Sequence, residues 1–201
     1  MAAAEVAILA MLAAGVLVFA MAFRMLRRLL SGGSTTERRK RAFAKIGYRR
    51  IGPGRWTRPI TGMSLVYEQA AGGGRWRMEL PRYRTFNVRV RERAGGGMKA
   101  FGRGTFLVQH EAMDARFVVA SDHPADTLEL LSDPSVQSRL LELPFVDLDI
   151  RADELELADP QGHIVAGLRG DVLEAHQRVA ALVLALLRRL YEGSSSVILE
   201  R

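Results

Sequence analysis

The segment "RTFNVRVRER", Arg84–Arg93, alternates apolar and polar side chains along its length. The apolar residues fall on one side of an extended chain and the polar residues on the other, Phe86, Val88 and Val90 against Asn87, Arg89 and Arg91. This alternation is typical of a strand that buries one face and exposes the other. The pattern predicts a sheet with an apolar inner face and a basic outer face.

Four further segments of similar character surround this strand. They read "SLVYEQ" from Ser64, "RWRMEL" from Arg75, "TFLVQH" from Thr105 and "RFVVAS" from Arg116. Glycine triplets at 72–74 and 95–97 separate them and suit hairpin turns with mobile tips. We therefore expect an antiparallel meander across about Met63 to Ser121, with further strands where Val146, Leu148 and Ile150 again alternate with polar residues.

Helices are predicted on either side of the second group of strands. Residues 125–131 and 134–143 look helical, with Asp133 placed to cap the second helix and Pro134 at its first position. Asp171 opens a final amphipathic helix with Glu174 three residues later. The sequence thus predicts an α+β domain with a mainly antiparallel sheet and two or three packed helices.

An apolar segment precedes this domain. Val6–Phe23 contains eighteen consecutive residues without a charge or a strongly polar side chain, or roughly 27 Å of helix at about 1.5 Å per residue. That length just crosses a hydrocarbon core of about 30 Å. A cleavable signal peptide would carry a positive charge before the apolar run, whereas only Glu5 precedes it. We expect one N-terminal transmembrane helix.

Basic residues follow the apolar segment and none precedes it. Lys and Arg next to a span are retained on the cytoplasmic side, so the chain is expected to have its N-terminus outside and its domain in the cytoplasm. The same cations are attracted to anionic headgroups. The predicted membrane-surface residues are Arg24, Arg27, Arg28, Arg38, Arg39, Lys40, Arg41, Lys45, Arg49 and Arg50.

Charge is distributed unevenly along the chain, whose net charge is +7. Residues 24–103 hold twenty-one Lys and Arg against four Asp and Glu, and residues 104–201 hold eight against seventeen. We divide the chain into an anchor at 1–30, a basic juxtamembrane linker and short helix at 31–58, and a cytoplasmic α+β domain at 59–201. The acidic second half is expected to meet a protein partner.

Motifs for catalysis, cofactors or metals are weak. The chain has no cysteine, and its four histidines lack paired ligand spacing. Asp122 and His123 stand side by side, so an enzyme or ligand-binding domain with a pocket near them is the alternative hypothesis. The acids of residues 147–159 could surround Ca²⁺, although alternate acids on a strand are usually a solvated face. We predict no catalytic residues, cofactor or metal site.

Nucleic acid is a weaker candidate partner than lipid. Aromatic residues lie among the arginines of the first half, namely Trp56, Tyr67, Trp76, Tyr83 and Phe86. Such residues could stack on bases. No recognised nucleic-acid-binding motif accompanies them, and a predicted membrane span adjoins the same charge.

The segment Asp114–Pro144 resembles a group of bacterial membrane-anchored proteins with no established activity. The group carries a strand and turn of the form D-x-x-F-x-V-x-S-D-x-P, a short helix ending near a D-P pair and a second helix. The matching positions are Asp114, Phe117, Val119, Ser121, Asp122, Pro124, Asp133 and Pro134, followed by a strand at 148–157. The resemblance implies a cytoplasmic domain on an N-terminal anchor and transfers no catalytic residues.

These observations lead to one functional expectation. The chain is predicted to be a single-pass protein of the bacterial inner membrane that acts as a non-enzymatic binding or scaffold module at the cytoplasmic membrane surface.

Overall fold

The structure is a computed structural model that describes Met21, Glu37, Leu168 and residues 39–70, 72–81, 87–93, 104–164 and 172–191. The chain divides into two compact units, Met1–Ala44 and Lys45–Arg201. A short helix, α1, covers residues 39–45. The sheet and the remaining described helices belong to the second unit.

The second unit is built on an antiparallel sheet with nine strands in the described part of the chain. The strands are β1 (Arg49–Gly52), β2 (Arg55–Ile60), β3 (Met63–Ala70), β4 (Gly73–Glu79), β5 (Val88–Glu92), β6 (Thr105–Phe106), β7 (Phe117–Ser121), β8 (Asp147–Ile150) and β9 (Glu154–Asp159). Their order across the sheet is β1-β2-β3-β4-β9-β8-β5-β7-β6. The predicted α+β class with a mainly antiparallel sheet is confirmed.

The sheet is not the simple meander that the sequence suggests. Strands β1 to β4 follow one another, but the hairpin β8–β9 lies between β4 and β5. β4 pairs with β9, and β5 pairs with β8. Alternation identifies the strands but carries no information on which strands are neighbours, so the insertion of the hairpin could not be read from it.

The folded sheet begins earlier in the chain than expected. Residues 31–58 were assigned to a linker with a short helix, yet β1 and most of β2 lie within that range. Trp56 on β2 is buried opposite Tyr67 on β3. The basic residues Arg49 and Arg50 are therefore part of an edge strand and not of a linker.

The second unit contains the helices α2 (Glu111–Arg116), α3 (Pro124–Leu131), α4 (Pro134–Glu142) and α5 (Val172–Leu190). The sequence predicts the last three. Asp133 caps α4 as expected, because its side chain accepts hydrogen bonds from the backbone N–H groups of Ser135 and Val136. Helix α2 is the unpredicted one. The expected strand "TFLVQH" is reduced to the two residues of β6, because its later residues form the turn before α2, where the backbone N–H groups of Val108 and His110 donate to Asp114. The expected cap Asp171 lies outside the described residues.

The core is centred on a buried polar contact between the sheet and helix α5. The indole Nε1–H of Trp76 donates a hydrogen bond of 2.9 Å to Nδ1 of His176, and both side chains are fully buried. Since indole is only a donor, Nδ1 must be an acceptor, and the neutral imidazole carries its proton on Nε2. Tyr67 and Tyr48 pack edge-on against the same imidazole, with ring centroids 4.4 and 5.0 Å away.

The first glycine triplet is required by close packing more than by a flexible turn. A Cβ on Gly73 would lie 1.9 Å from the carbonyl oxygen of Asp159, and a Cβ on Gly74 would lie 2.3 Å from the ring of Tyr67. Both residues belong to β4 and only Gly72 has a positive φ, of 81°. The triplet therefore lets β9 and an aromatic side chain approach β4.

The predicted membrane anchor, residues 1–30, lies outside the described residues apart from Met21. Among the residues that are described, no helix has the length and apolarity needed to cross a membrane.

Candidate functional site

The outer face of the sheet carries ion pairs between β4 and β9. Glu156 on β9 lies 2.8 Å from Nε of Arg77 and 3.1 Å from Nε of Arg75, both on β4. Glu154 lies 3.8 Å from Arg77. Glu156 is only 17% exposed, so its charge is held close to its two partners. The basic face of β4 is thus neutralised by the acidic face of β9.

The same arrangement recurs between β5 and β8. Asp149 lies 3.0 Å from Arg89 and 3.1 Å from Arg91, while Arg91 also pairs with Asp147. Arg151 is 3.6 Å from Asp149. The strand order therefore places two acidic strands, β9 and β8, between two basic strands, β4 and β5. We call these residues of β4, β9, β8 and β5 the charge ladder.

The two aspartates of the charge ladder have opposite pKa shifts. Burial raises the pKa of Asp149, but hydrogen bonds and charge from Arg89 and Arg91 outweigh it and hold the pKa below its ordinary value. Burial also raises the pKa of Asp147, and here Arg91 does not compensate, because the negative charges of Asp149 and Glu156 act in the same direction as burial. Asp149 is the better stabilised carboxylate of the pair.

The charge ladder pairs most of the strand acids with arginines, and the expectation that the acidic second half meets a protein partner stays a prediction. Four acids of residues 147–159 pair with four arginines of the basic first half, so these charges of the two halves neutralise one another on the sheet. The same acids form no group of three or more ligands suited to a metal ion within the described residues. The sequence contains a signal for this pairing of basic and acidic strands that the count of charges does not use. Arg-x-Arg at 75–77 and 89–91 complements Asp-x-Asp at 147–149 and Glu-x-Glu at 154–156.

The predicted membrane-surface residues are only partly brought together. Arg24, Arg27, Arg28 and Arg38 lie outside the described residues. Three others belong to α1 in the first unit, where Arg39 is half-buried, Arg41 is exposed and Lys40 lies 3.8 Å from Glu37. The remaining three, Lys45, Arg49 and Arg50, belong to the second unit.

Arg49 and Arg50 are exposed on β1, the edge strand of the sheet, and Lys45 is exposed at the end of α1, four residues before that strand; we call these three residues the basic edge. Within the described part of the chain none of the three lies within 4.0 Å of a carboxylate oxygen. Their positive charge is therefore uncompensated, in contrast with that of the charge ladder. An uncompensated group of cations at a sheet edge can bind an anionic surface.

Asp122 has a structural role. Its Oδ1 accepts a hydrogen bond of 2.7 Å from the backbone N–H of Asn87, and its Oδ2 accepts one of 2.8 Å from the amide of the same residue. Partial burial raises the pKa of Asp122, but these hydrogen bonds outweigh it and hold the pKa below its ordinary value. A carboxylate of low pKa with both oxygens occupied is a poor general acid or base at neutral pH.

The cavity beside Asp122 gives the enzyme hypothesis little support. It has a volume of about 330 Å³ and is walled by Asn87, Arg89, Asp122, Asp149 and Arg151 among others, but not by His123. No hydrogen bond between Asp122 and His123 occurs in the described residues.

The residues of the D-x-x-F-x-V-x-S-D-x-P pattern each have a place in the fold. Asp114 accepts hydrogen bonds from the backbone N–H groups of Val108 and His110, and Ser121 accepts them from the backbone of His123 and the hydroxyl of Thr127. Phe117 and Val119 are buried on β7, Pro124 and Pro134 are the first residues of α3 and α4, Asp133 caps α4, and Asp122 accepts hydrogen bonds from Asn87. The pattern describes a strand, a turn and a capped helix.

A cleft of about 720 Å³ has two arginines in its wall. Arg116 donates to the carbonyl of Leu141 at 2.8 Å, and Arg178 donates to the carbonyl of Glu142 at 3.0 Å. Both arginines also pair with glutamates, Glu92 and Glu174. Because these guanidinium groups already tie the end of α4 to α2 and α5, the cleft has a structural explanation.

The proposed stacking residues for nucleic acid are enclosed in the core. Trp56 is 5% exposed, Tyr67 3% and Trp76 0%. Bases cannot stack on these rings unless the core opens. Tyr83 and Phe86 lie outside the described residues.

Comparison with known proteins identifies no family. No protein-family model matches the chain, and no curated protein matches it. Among solved structures, the chain is similar to the crystal structure of the mycobacterial trehalose monomycolate transport factor A, TtfA. The match has a TM-score of 0.43 and 11% sequence identity, and it covers 65% of this chain and 71% of that chain. A likeness of this size establishes neither a shared fold nor a shared function. The proposed resemblance to membrane-anchored bacterial proteins stays a prediction.

Proposed function

We propose that the protein is a single-pass membrane protein whose α+β domain acts as a non-enzymatic binding module at the cytoplasmic face of the bacterial inner membrane. Residues 1–30 form the anchor, with the N-terminus outside. The domain binds anionic lipid through its basic residues and presents its remaining surface to a protein partner.

The observation that carries this proposal is the basic edge. Lys45, Arg49 and Arg50 keep their charge exposed, whereas the arginines of the charge ladder are paired with acids. Cations near an anionic leaflet are attracted to it by about 1 kcal/mol each. The apolar run Val6–Phe23 and the arginines after it support the same orientation, with basic residues on the inner side.

Topology is tested with single cysteines, since the chain has none of its own. Ala4→Cys lies before the apolar run, and Ala152→Cys lies in an exposed position of the β8–β9 turn. In intact spheroplasts a membrane-impermeant maleimide should label Ala4→Cys only, and after lysis it should label both. Labelling of Ala152→Cys in intact spheroplasts, or release of the protein by alkaline carbonate, would contradict the proposal.

The partner is sought by purifying the full-length protein from membranes at low and at high salt, followed by mass spectrometry of what accompanies it. Charge-dependent binding predicts a protein that is retained at low salt and leaves at high salt. If lipid alone accompanies the chain under both conditions, the partner part of the proposal is wrong while the anchor is unaffected.

A further inference from the structure

We infer that the edge strand β1 is the part of the domain that docks on the membrane, with Ile51 inserted among the lipid headgroups and Arg49 and Arg50 bound to anionic headgroups on either side of the strand. This inference rests on the proposed membrane anchor and names the element that makes the lipid contact.

Ile51 is exposed for a local structural reason. Arg50 pairs with Trp56 and Gly52 pairs with Arg55, so the register shifts between them and Ile51 has no partner on β2. An extra residue of this kind is a β-bulge, which redirects the side chain at that position. Ile51 is 48% exposed and is one of three large apolar side chains, with Met21 and Leu107, that are exposed in the described part of the chain.

Arg49 and Arg50, the two residues before Ile51, lie on opposite faces of the sheet. Antiparallel partners share a face, and Arg50 is opposite the inward-facing Trp56 while Arg49 is opposite Thr57. Nε of Arg50 donates to the carbonyl of Gly52 at 3.2 Å, which ties the guanidinium group to the bulge. One apolar residue with cations on both sides matches the boundary between acyl chains and anionic headgroups.

Protection against aggregation does not explain the whole edge. Charged residues on an edge strand do prevent pairing with another sheet, and Arg49 and Arg50 suffice for that purpose. An exposed isoleucine directly after those charges works against it, because an apolar side chain on a bare edge favours association. An anionic lipid surface therefore explains better why an exposed isoleucine lies next to two uncompensated arginines on this strand.

Depth measurements on spin-labelled, full-length protein in nanodiscs test the inference. The label is placed at Ile51→Cys, with Leu107→Cys near the opposite sheet edge as the matched control, since Leu107 is 61% exposed. Collision with oxygen, which partitions into lipid, is compared with collision with a water-soluble nickel chelate. In nanodiscs containing phosphatidylglycerol, the label at 51 should be exposed to oxygen and shielded from nickel, whereas the label at 107 should remain accessible to nickel.

Two changes should reverse the result at position 51. Replacing phosphatidylglycerol by phosphatidylcholine should make the label accessible to nickel. Arg49→Gln and Arg50→Gln should each lower the ratio of docked to undocked protein about fivefold, the change that corresponds to about 1 kcal/mol for one cation near an anionic surface. Arg75→Gln, on the paired face of β4, should leave the ratio unchanged.

The outcomes separate this inference from the proposed function. If the protein does not assemble into nanodiscs, the anchor is wrong. If it assembles but the label at 51 remains accessible to nickel in phosphatidylglycerol, β1 is not the docking element and the anchor stands. Shielding at 51 by added single-stranded DNA in place of lipid would assign the edge to nucleic acid and overturn the inference.

Discussion

The hydrogen bond between Trp76 and His176 should make a large contribution to stability that depends on both partners. Trp76→Phe removes the indole N–H that donates to Nδ1 of His176. The imidazole of His176 is fully buried, so Nδ1 loses this hydrogen bond inside the core. An unsatisfied buried acceptor costs about 1–3 kcal/mol. The smaller ring also leaves space in the core, at about 0.8 kcal/mol for each methylene equivalent lost. Together these changes should lower the free energy of unfolding by about 2–5 kcal/mol.

His176→Leu tests the same bond from the other side. It leaves the indole N–H of Trp76 without its acceptor and should itself cost about 1–3 kcal/mol. In the double variant neither polar group remains, so that penalty disappears and only the packing loss is left. Both penalties are present in the single variants and absent from the double variant, so the two single losses should add to about 2–6 kcal/mol more than the loss in the double variant.

Urea unfolding of the purified full-length chain gives the free energy of unfolding of the wild type, the two single variants and the double variant. Circular dichroism follows the unfolding, because this signal does not depend on the replaced tryptophan. Asp133→Ala combined with Trp76→Phe is the control, because Asp133 bonds within its own helix turn and the two losses should add. If the losses at Trp76 and His176 also add to within about 0.5 kcal/mol, the bond does not couple the sheet to α5 and the reasoning fails.

Three further changes test the charge ladder, the glycine contact and the helix cap. Asp149→Asn should destabilise the protein at pH 7, because a depressed pKa gives stability that is present above the unfolded pKa of about 3.9 and is lost as pH falls through the lower folded pKa. Urea titrations over a pH series should therefore show the difference from wild type vanish in acid, and a pH-independent difference would contradict this. Asp147→Asn should cost less at pH 7, since a raised pKa means that ionisation there opposes folding; a larger loss than for Asp149→Asn would refute the assignment. Gly73→Ala should cost about 1–3 kcal/mol by thermal unfolding, because its Cβ would meet a backbone oxygen at 1.9 Å, and an unchanged midpoint would mean that β9 can move away. Asp133→Ala should cost about 1 kcal/mol and Asp133→Asn much less, as expected for a cap; equal losses would point to its charge.

The sequence predicted local features of the fold better than long-range ones. Alternation located β3, β4, β5, β7 and the pair β8 and β9, and the Asp-Pro pair located the start of α4. These features depend on a few consecutive residues. The position of β8–β9 between β4 and β5 depends on pairing between residues such as Arg77 and Glu156, 79 positions apart. Hydrophobic periodicity holds no information on such a pairing.

The candidate site was predicted in composition but not in arrangement. Counting charges identified Arg49 and Arg50 as candidates for a membrane surface, and the fold leaves them exposed. Counting charges also predicted that the acidic second half meets a protein partner, but it did not reveal that Asp149 and Glu156 face arginines. Net charge along a chain ignores which strands become neighbours. The bulge that exposes Ile51 depends on the register of β1 against β2, which no local pattern revealed.

The central hairpin also constrains the order in which the sheet can assemble during synthesis. Strands β4 and β5 leave the ribosome well before β8 and β9, and at about 5–20 residues per second the interval is on the order of several seconds. During that interval β4 and β5 could pair wrongly with each other, but Arg75 and Arg77 would face Arg89 and Arg91. Repulsion between these like charges disfavours the premature contact. Once β8 and β9 are synthesised, their acids pair with these arginines. Repulsion between the arginines of β4 and β5 therefore keeps the two strands from pairing until the hairpin can insert between them.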